Sequence, residues 1–202
     1  MDPLIRVGVG GVSSVAGPEA LAAAKRLLTR RRAIRLPSVL DDGLLELLRS
    51  KVDAARFVPF VKEGESRETP EDPALNVMAT LLLSDPKLFR FVEELSGCPK
   101  IARVTGGVYR MAPGARHHVA WHADIGETSR VMTLTVNLGR EPVRGGLFQI
   151  RKADRTALLA EFPYERGGDG ILFRLDRGLR HRSTRVVGTA AKTIVTCWFH
   201  TA

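Results

Sequence analysis

Residues 131–138 read VMTLTVNL. Thr133, Thr135 and Asn137 alternate with Met132, Leu134, Val136 and Leu138, the period of two that sends successive side chains to opposite faces of a β-strand. Runs of similar character lie on either side, at 101–111, 117–122, 146–151, 170–175, 179–187 and 192–199, divided by Gly, Pro and Asp. About seven strands at such spacing, with no helical segment between them, predict an antiparallel sandwich or barrel rather than βαβ units. A sandwich would turn the polar face of 131–138 to solvent. A barrel that encloses a polar ligand turns it inward, and Thr133, Thr135 and Asn137 then line the cavity.

Upstream the period changes. Residues 19–30 are rich in Ala and Leu and end in the basic cluster Arg30, Arg31 and Arg32, which suits a helix C-terminus. Asp41 and Asp42 can cap a second helix with Leu44, Leu45, Leu48, Val52 and Ala55 on one stripe. Asp72-Pro73 opens a third helix, to about Leu83, and Asp85-Pro86 a fourth that carries Leu88, Val92 and Leu95 and stops at Gly97. The break in period predicts an α+β chain of one domain, 1–202, with a mainly helical support over 1–100 and a strand-built core over 101–199. Between the second and third helices, 62–72 (KEGESRETPED) is acidic, carries a proline and has no apolar periodicity, and reads as a mobile loop, a plain linker first and a substrate lid second. Gly8-Val9-Gly10-Gly11 lacks the third glycine of a dinucleotide loop, with Arg31 and Arg32 where a ribose-binding acid belongs.

Of the 202 residues, 44% are hydrophobic and 26% charged, enough for one buried core and incompatible with disorder. No run of about 18 uncharged apolar residues is present, so no membrane span is expected. Cys98 and Cys197 stand far apart in no metal spacing, which predicts a reducing, cytoplasmic setting. The apolar stretch 4–16 has no basic segment before it, and export is not expected. The net charge of +9 is lopsided: residues 1–100 carry 15 Lys/Arg against 14 Asp/Glu, and 101–202 carry 16 against 8. Such a field attracts anions and points to a substrate with carboxylates.

Trp121-His122-Ala123-Asp124 closes one predicted strand, and His181 lies 57 residues after Asp124 on another. Two neutral imidazoles and a carboxylate, with His and Asp two apart, can occupy one face of an octahedron and leave three positions open. That arrangement suits Fe(II), which must take a chelating cosubstrate and then O₂. His117, His118 and His200 read as core or surface residues.

Around this set stand, in order, Tyr109 in GGVYRMAPG, the strand VMTLTVNL, GGLFQI, GDGILF, His181-Arg182 and KTIVTCWF. Together they resemble the prolyl 4-hydroxylase-like branch of the 2-oxoglutarate/Fe(II)-dependent dioxygenase superfamily over roughly 101–199. The resemblance implies a double-stranded β-helix (jelly-roll, cupin-like) core with the N-terminal helices packed on one sheet. It implies His122, Asp124 and His181 as iron ligands and a basic residue of the last strand, Lys192, as partner of the distal carboxylate of 2-oxoglutarate. The implied cofactors are Fe(II), 2-oxoglutarate and O₂, with ascorbate as an auxiliary reductant. The implied reaction hydroxylates an unactivated C–H of an amino acid, peptide or small metabolite, with succinate and CO₂ as coproducts. Halogenating relatives have a small residue in place of Asp124, so hydroxylation is expected here.

A turn centred on Gly188-Thr189 would set Arg185 opposite Lys192 and His181 opposite Thr196, about four residues or roughly 13 Å from Lys192 along the sheet. Arg185 shares the parity of His181 and is the second candidate for the diacid. Tyr109, Thr135 and Asn137 are further candidates to bond it. Arg182 has the opposite parity and should point outward, whereas Trp198 has the parity of Lys192 and should wall the pocket. The expected partner is a small-molecule or peptide substrate, not a nucleic acid or a membrane. The nucleic-acid dealkylating branch ranks lower because only Lys192 follows Arg185 where two close arginines belong. A non-catalytic, cupin-like metal-binding module is the alternative of a different class, and it would make no succinate.

Overall fold

The computed structural model describes residues 2–62, 64–126 and 129–202. The chain opens with the hairpin β1 (Ile5–Gly8) and β2 (Gly11–Ser14), then α1 (Pro18–Arg31), β3 (Ala33–Leu36) and α2 (Asp42–Ala54). A second hairpin, β4 (Phe57–Lys62) and β5 (Glu65–Pro70), precedes α3 (Ala74–Leu82) and α4 (Pro86–Ser96). The remainder is strand: β6 (Ile101–Met111), β7 (His118–His122), β8 (Arg130–Asn137), β9 (Arg144–Gly145), β10 (Phe148–Lys152), β11 (Leu158–Phe162), β12 (Gly170–Arg174), β13 (Leu179–Ser183), β14 (Val186–Val187) and β15 (Lys192–Thr201).

Local chemistry sets these boundaries. The Asp41 carboxylate accepts from Leu44 N–H at 2.7 Å and starts α2, and Asp85 accepts from Lys87 N–H with Pro86 in the first turn of α4. Gly97, at φ 66°, ends α4 in the left-handed conformation.

Ten strands run in the order β11-β10-β13-β7-β5-β6-β15-β8-β12-β3, every pair antiparallel, and β4 pairs with β5 off this path. The sheet curls into a nearly closed jelly-roll. Alternation along β8 divides the interior into two apolar layers. Met132, Leu134, Val136 and Leu138 pack with Leu44, Leu48, Leu88, Leu95, Val195 and Phe199 between sheet and helices. On the other face Ile194 and Trp198 join Phe148, Ile150, Tyr164 and Phe173 inside the roll. The polar row Thr133, Thr135 and Asn137 is buried as well, so the roll turns it inward and not to solvent.

Three expectations need correction. Residues 1–100 carry five strands beside their four helices; these strands are short, and GVGG forms the β1–β2 turn with Gly11 at φ 107°. The stretch 62–72 is largely strand and not loop: Glu65, Arg67 and Thr69 alternate with Ser66 and Glu68, and the charges that suggested a loop serve two faces of β5. Glu63, part of that reading, lies outside the described residues. Finally, β13 and β15 do not pair: β13 lies between β10 and β7, and β15 between β6 and β8. The link 184–191 crosses from one wall of the roll to the other, with β14 pairing to β9 on the way.

No helix among the described residues is long and apolar enough to cross a membrane. One close approach yields a stability prediction. A Cβ at Gly106 would stand 2.4 Å from the Thr196 carbonyl and 3.0 Å from Cys197 Sγ. Backbone on the central strand β15 cannot yield cheaply, so Gly106→Ala should destabilise the fold by about 2 kcal/mol, read by denaturant unfolding.

Candidate active site

His122 ends β7 and His181 sits directly opposite it on β13, so strand register alone brings the two imidazoles together, their ring centroids 4.2 Å apart. Asp124, two residues past His122, turns back over both. Its Oδ1 lies 3.3 Å from His122 Nε2 and its Oδ2 3.4 Å from His181 Nε2. One ligand atom from each of the three lies within 4.8 Å of the others. The set fits a divalent ion of borderline hardness. The Ala120 carbonyl lies 2.9 Å from His122 Nδ1 and holds a proton there, so Nε2 is the nitrogen turned to Asp124 and the one available to a metal. Trp198 Nε1–H donates to Asp124 Oδ2 at 2.7 Å and fixes the carboxylate.

Burial works against charge at all three groups, and hydrogen bonding outweighs it at Asp124 and His122 but not at His181. Asp124 is held well below the usual carboxylate range because its bonds to His122 and His181 outweigh desolvation. His122 is raised by Asp124 despite burial. In the fully buried His181, desolvation prevails and the value falls.

The cleft above this set is lined by Glu65, Arg67, Thr135, Tyr164, Arg182, Ser183, Thr196 and Trp198, among others. Behind Ser183 and Tyr164 lies Lys192, fully buried, its Nζ donating to Ser183 Oγ at 2.7 Å and to the Gly146 carbonyl at 2.9 Å. The ammonium stands 3.9 Å from the centre of the Tyr164 ring. Burial, with Arg67 as a second cation nearby, pushes Lys192 well below its ordinary pKa. Gly146 adopts φ 59°, and a Cβ there would press on Lys192 Cδ at 3.1 Å, so the second glycine of GGLFQI makes room for the lysine stem.

Lys192 and Thr135 therefore stand at the cleft, with Thr135 Oγ1 3.1 Å from the Tyr164 hydroxyl. Tyr109 holds its ring 3.7 Å beneath the Arg67 guanidinium and 6.3 Å from Trp198. Asn137 is buried but turns its Oδ1 to Gly139 N–H, closing the turn after β8. Arg185 is exposed, and its backbone carbonyl accepts from Gly146 N–H. It is not opposite Lys192, because the strands that would pair them belong to different walls. The 13 Å separation falls with that register: Ser183, which touches Lys192 Nζ, is two residues from His181, or roughly 7 Å along β13.

Arg182 bonds Gln149 Oε1 at 2.6 Å and stacks over Trp121, outside the roll, while also reaching the cleft rim. His117 accepts from Ala112 N–H and His200 is buried between Thr105 and Ser129, neither near the triad. Sequence reasoning missed Glu65, Arg67, Tyr164 and Ser183. Alternation in ESRET was a usable signal for the first two; Tyr164, alone between Pro163 and a glycine turn, offered none.

The 2OG-Fe(II) oxygenase superfamily profile matches residues 106–200. No curated protein sequence matches the chain. Among solved structures it is similar to a 2OG-Fe(II) oxygenase family oxidoreductase from Burkholderia pseudomallei, with TM-score 0.67, 15% identity, and 96% of this chain and 95% of that one covered. It is also similar to a Pseudomonas putida prolyl-4-hydroxylase, with TM-score 0.62, 15% identity and coverage of 90% and 99%. A third is a Trichoplax adhaerens prolyl hydroxylase in complex with a hypoxia inducible factor peptide fragment, with TM-score 0.61, 15% identity and coverage of 92% and 94%. At such identity these likenesses speak to the fold.

Proposed function

We propose that this chain, whose residues 106–200 match the 2OG-Fe(II) oxygenase superfamily, is a 2-oxoglutarate-dependent dioxygenase that hydroxylates an unactivated C–H of an amino acid, a peptide or a small metabolite. The observation that carries this reading is the convergence of His122, Asp124 and His181 within 4.8 Å, at the mouth of a cleft with a buried ammonium behind it. His122 Nε2, His181 Nε2 and an Asp124 oxygen are the ligands we assign to Fe(II). Lys192, with the hydroxyls of Ser183, Tyr164 and Thr135, is assigned to the distal carboxylate of 2-oxoglutarate. A five-carbon diacid is roughly 5 Å between its end carbons, which suits the two-residue step from His181 to Ser183.

Iron and cosubstrate supply the oxidising chemistry, in which substrate C–H, 2-oxoglutarate and O₂ become C–OH, succinate and CO₂. The protein's part is to hold and exclude. Phe148 and Phe173 flank His181 with ring centroids at 6.1 and 4.7 Å and keep water from its buried side. Trp198 keeps the Asp124 carboxylate turned toward the histidines. Outer partners of metal ligands are worth about 10- to 100-fold in affinity or activity. Trp198→Phe should accordingly weaken Fe(II) binding about tenfold in an anaerobic titration, with little change in 2-oxoglutarate affinity once iron is saturating.

The reading is tested by incubating iron-loaded protein with 2-oxoglutarate and ¹⁸O₂ against libraries of amino acids, peptides and small acids. Succinate release that rises with one class, together with one labelled oxygen in the product, is the expected outcome. Succinate at the level of an Asp124→Ala control with every class would overturn it.

A further inference from the structure

Two strands along the sheet from Lys192's strand β15, past β6, the β4–β5 hairpin places two opposite charges at the cleft. Glu65 and Arg67 share one face of β5, line the same cleft as His122 and Asp124, and are largely buried, with side chains 11% and 13% exposed. Arg67 Nη2 and Glu65 Oε2 lie 2.9 Å apart. The Arg67 guanidinium lies flat on Tyr109 at 3.7 Å and against Phe60 at 5.2 Å, which fixes the plane of its donors.

This pair is unfinished. Arg67 Nε is buried and has no hydrogen-bond partner among the described residues, and Glu65 Oε2, although 2.9 Å from Arg67 Nη2, receives no well-directed hydrogen bond there. Buried polar groups nearly always have partners, and one left without is costly. The guanidinium has an Nε–H without an acceptor and the carboxylate an oxygen met only by the misdirected Arg67 Nη2, side by side, in a cleft that also carries the candidate metal ligands.

Resting on the function proposed above, we infer that Glu65 and Arg67 bind the α-ammonium and α-carboxylate of a free amino acid, which is the substrate class. Charge selects it. The pair is neutral overall, so a lone carboxylate would bury a net negative charge beside Glu65 and a lone amine a net positive charge beside Arg67. A zwitterion adds no net charge, and its two ends are as close together as the two side chains. A residue inside a peptide has neither charged end. The cosubstrate is a poor occupant of this pair because it brings no donor for Glu65, and its far carboxylate is assigned to Lys192, two strands away past β6.

The test compares each of the twenty proteinogenic L-amino acids in free, N-acetylated and carboxamide form. Calorimetric affinity is read under argon for the protein loaded with Fe(II) and 2-oxoglutarate, and succinate release is read in air. The best free amino acid should bind at least about tenfold tighter than either blocked form. Arg67→Gln should erase the preference for acid over amide, Glu65→Gln the preference for free amine over N-acetyl, and Arg67→Lys should restore part of the first. Affinity for 2-oxoglutarate should stay within about twofold in all three variants. Blocked forms that bind as well as free ones in the unaltered protein, which needs no variant to fold, overturn the inference. So does a large loss of 2-oxoglutarate affinity in Arg67→Gln, which would give this arginine to the cosubstrate. Binding with the predicted preferences but no hydroxylated product would sink the proposed function and leave the zwitterion site standing, whereas labelled product from peptides alone would do the reverse.

Discussion

Replacing Asp124 by alanine should lower 2-oxoglutarate turnover by more than about 100-fold while leaving the thermal transition within a few degrees of the unaltered protein. Loss of an outer partner to a metal ligand already costs about 10- to 100-fold, and loss of a ligand should exceed that. Asp124 bridges the two histidines at 3.3 and 3.4 Å and is the single anion of the set, so without it two imidazoles remain with no charge to balance a divalent ion. The fold should tolerate the change because Asp124 lies outside regular structure, after β7, and spans no apolar layer. His122→Ala and His181→Ala should be equally inactive. Undiminished succinate formation in any one of the three would remove that residue from the site.

The second large effect is expected at Lys192. Its side-chain nitrogen is fully buried, and among the described residues it bonds a hydroxyl and a carbonyl and no carboxylate, so the diacid would be the anion that offsets its desolvation. Hydrogen bonds to charged groups are worth about 1.5–3 kcal/mol, which predicts a 10- to 100-fold rise in the 2-oxoglutarate concentration needed by Lys192→Met, with Fe(II) affinity unmoved. Protonation gives an independent reading. Burial lowers the Lys192 pKa in the free protein, and a bound carboxylate must raise it again, so binding should take up protons. Calorimetry in two buffers of different ionisation enthalpy should show that uptake, and Lys192→Met should lose it. If Arg185→Ala raised the requirement and Lys192→Met did not, the assignment at the blind end of the cleft would be wrong.

The residues whose chemistry is specific were legible in the sequence. His122, Asp124 and His181 could be named because the ordered set around them, from Tyr109 to KTIVTCWF, resembles the 2-oxoglutarate/Fe(II) dioxygenases, whereas His-x-Asp alone is a weak signal; the structure brings the three together. Alternation in 131–138 announced both faces of β8, and the helix starts at Asp41 and Asp85 were marked by side chains that accept backbone protons. What failed was long-range pairing. Gly188-Thr189 looks like a hairpin tip, and nothing local says that the chain instead crosses to the far wall, because pairing is decided by which strands close the roll. That error cost the placement of Arg185. Glu65 and Arg67 were hidden for a different reason: charge is an ordinary sign of solvent, and only the enclosed cleft, where opposite charges face each other, turns it into a sign of a site.

The most direct test of the central claim, that His122, Asp124 and His181 hold Fe(II) with 2-oxoglutarate anchored at Lys192, is an anaerobic titration followed in the visible. Adding 2-oxoglutarate to the iron-loaded protein should raise a charge-transfer band that saturates at about one equivalent of iron. The band should be absent in Asp124→Ala and should need about 10- to 100-fold more 2-oxoglutarate in Lys192→Met. No band in the unaltered protein, together with no calorimetric heat for either Fe(II) or 2-oxoglutarate, would contradict the account.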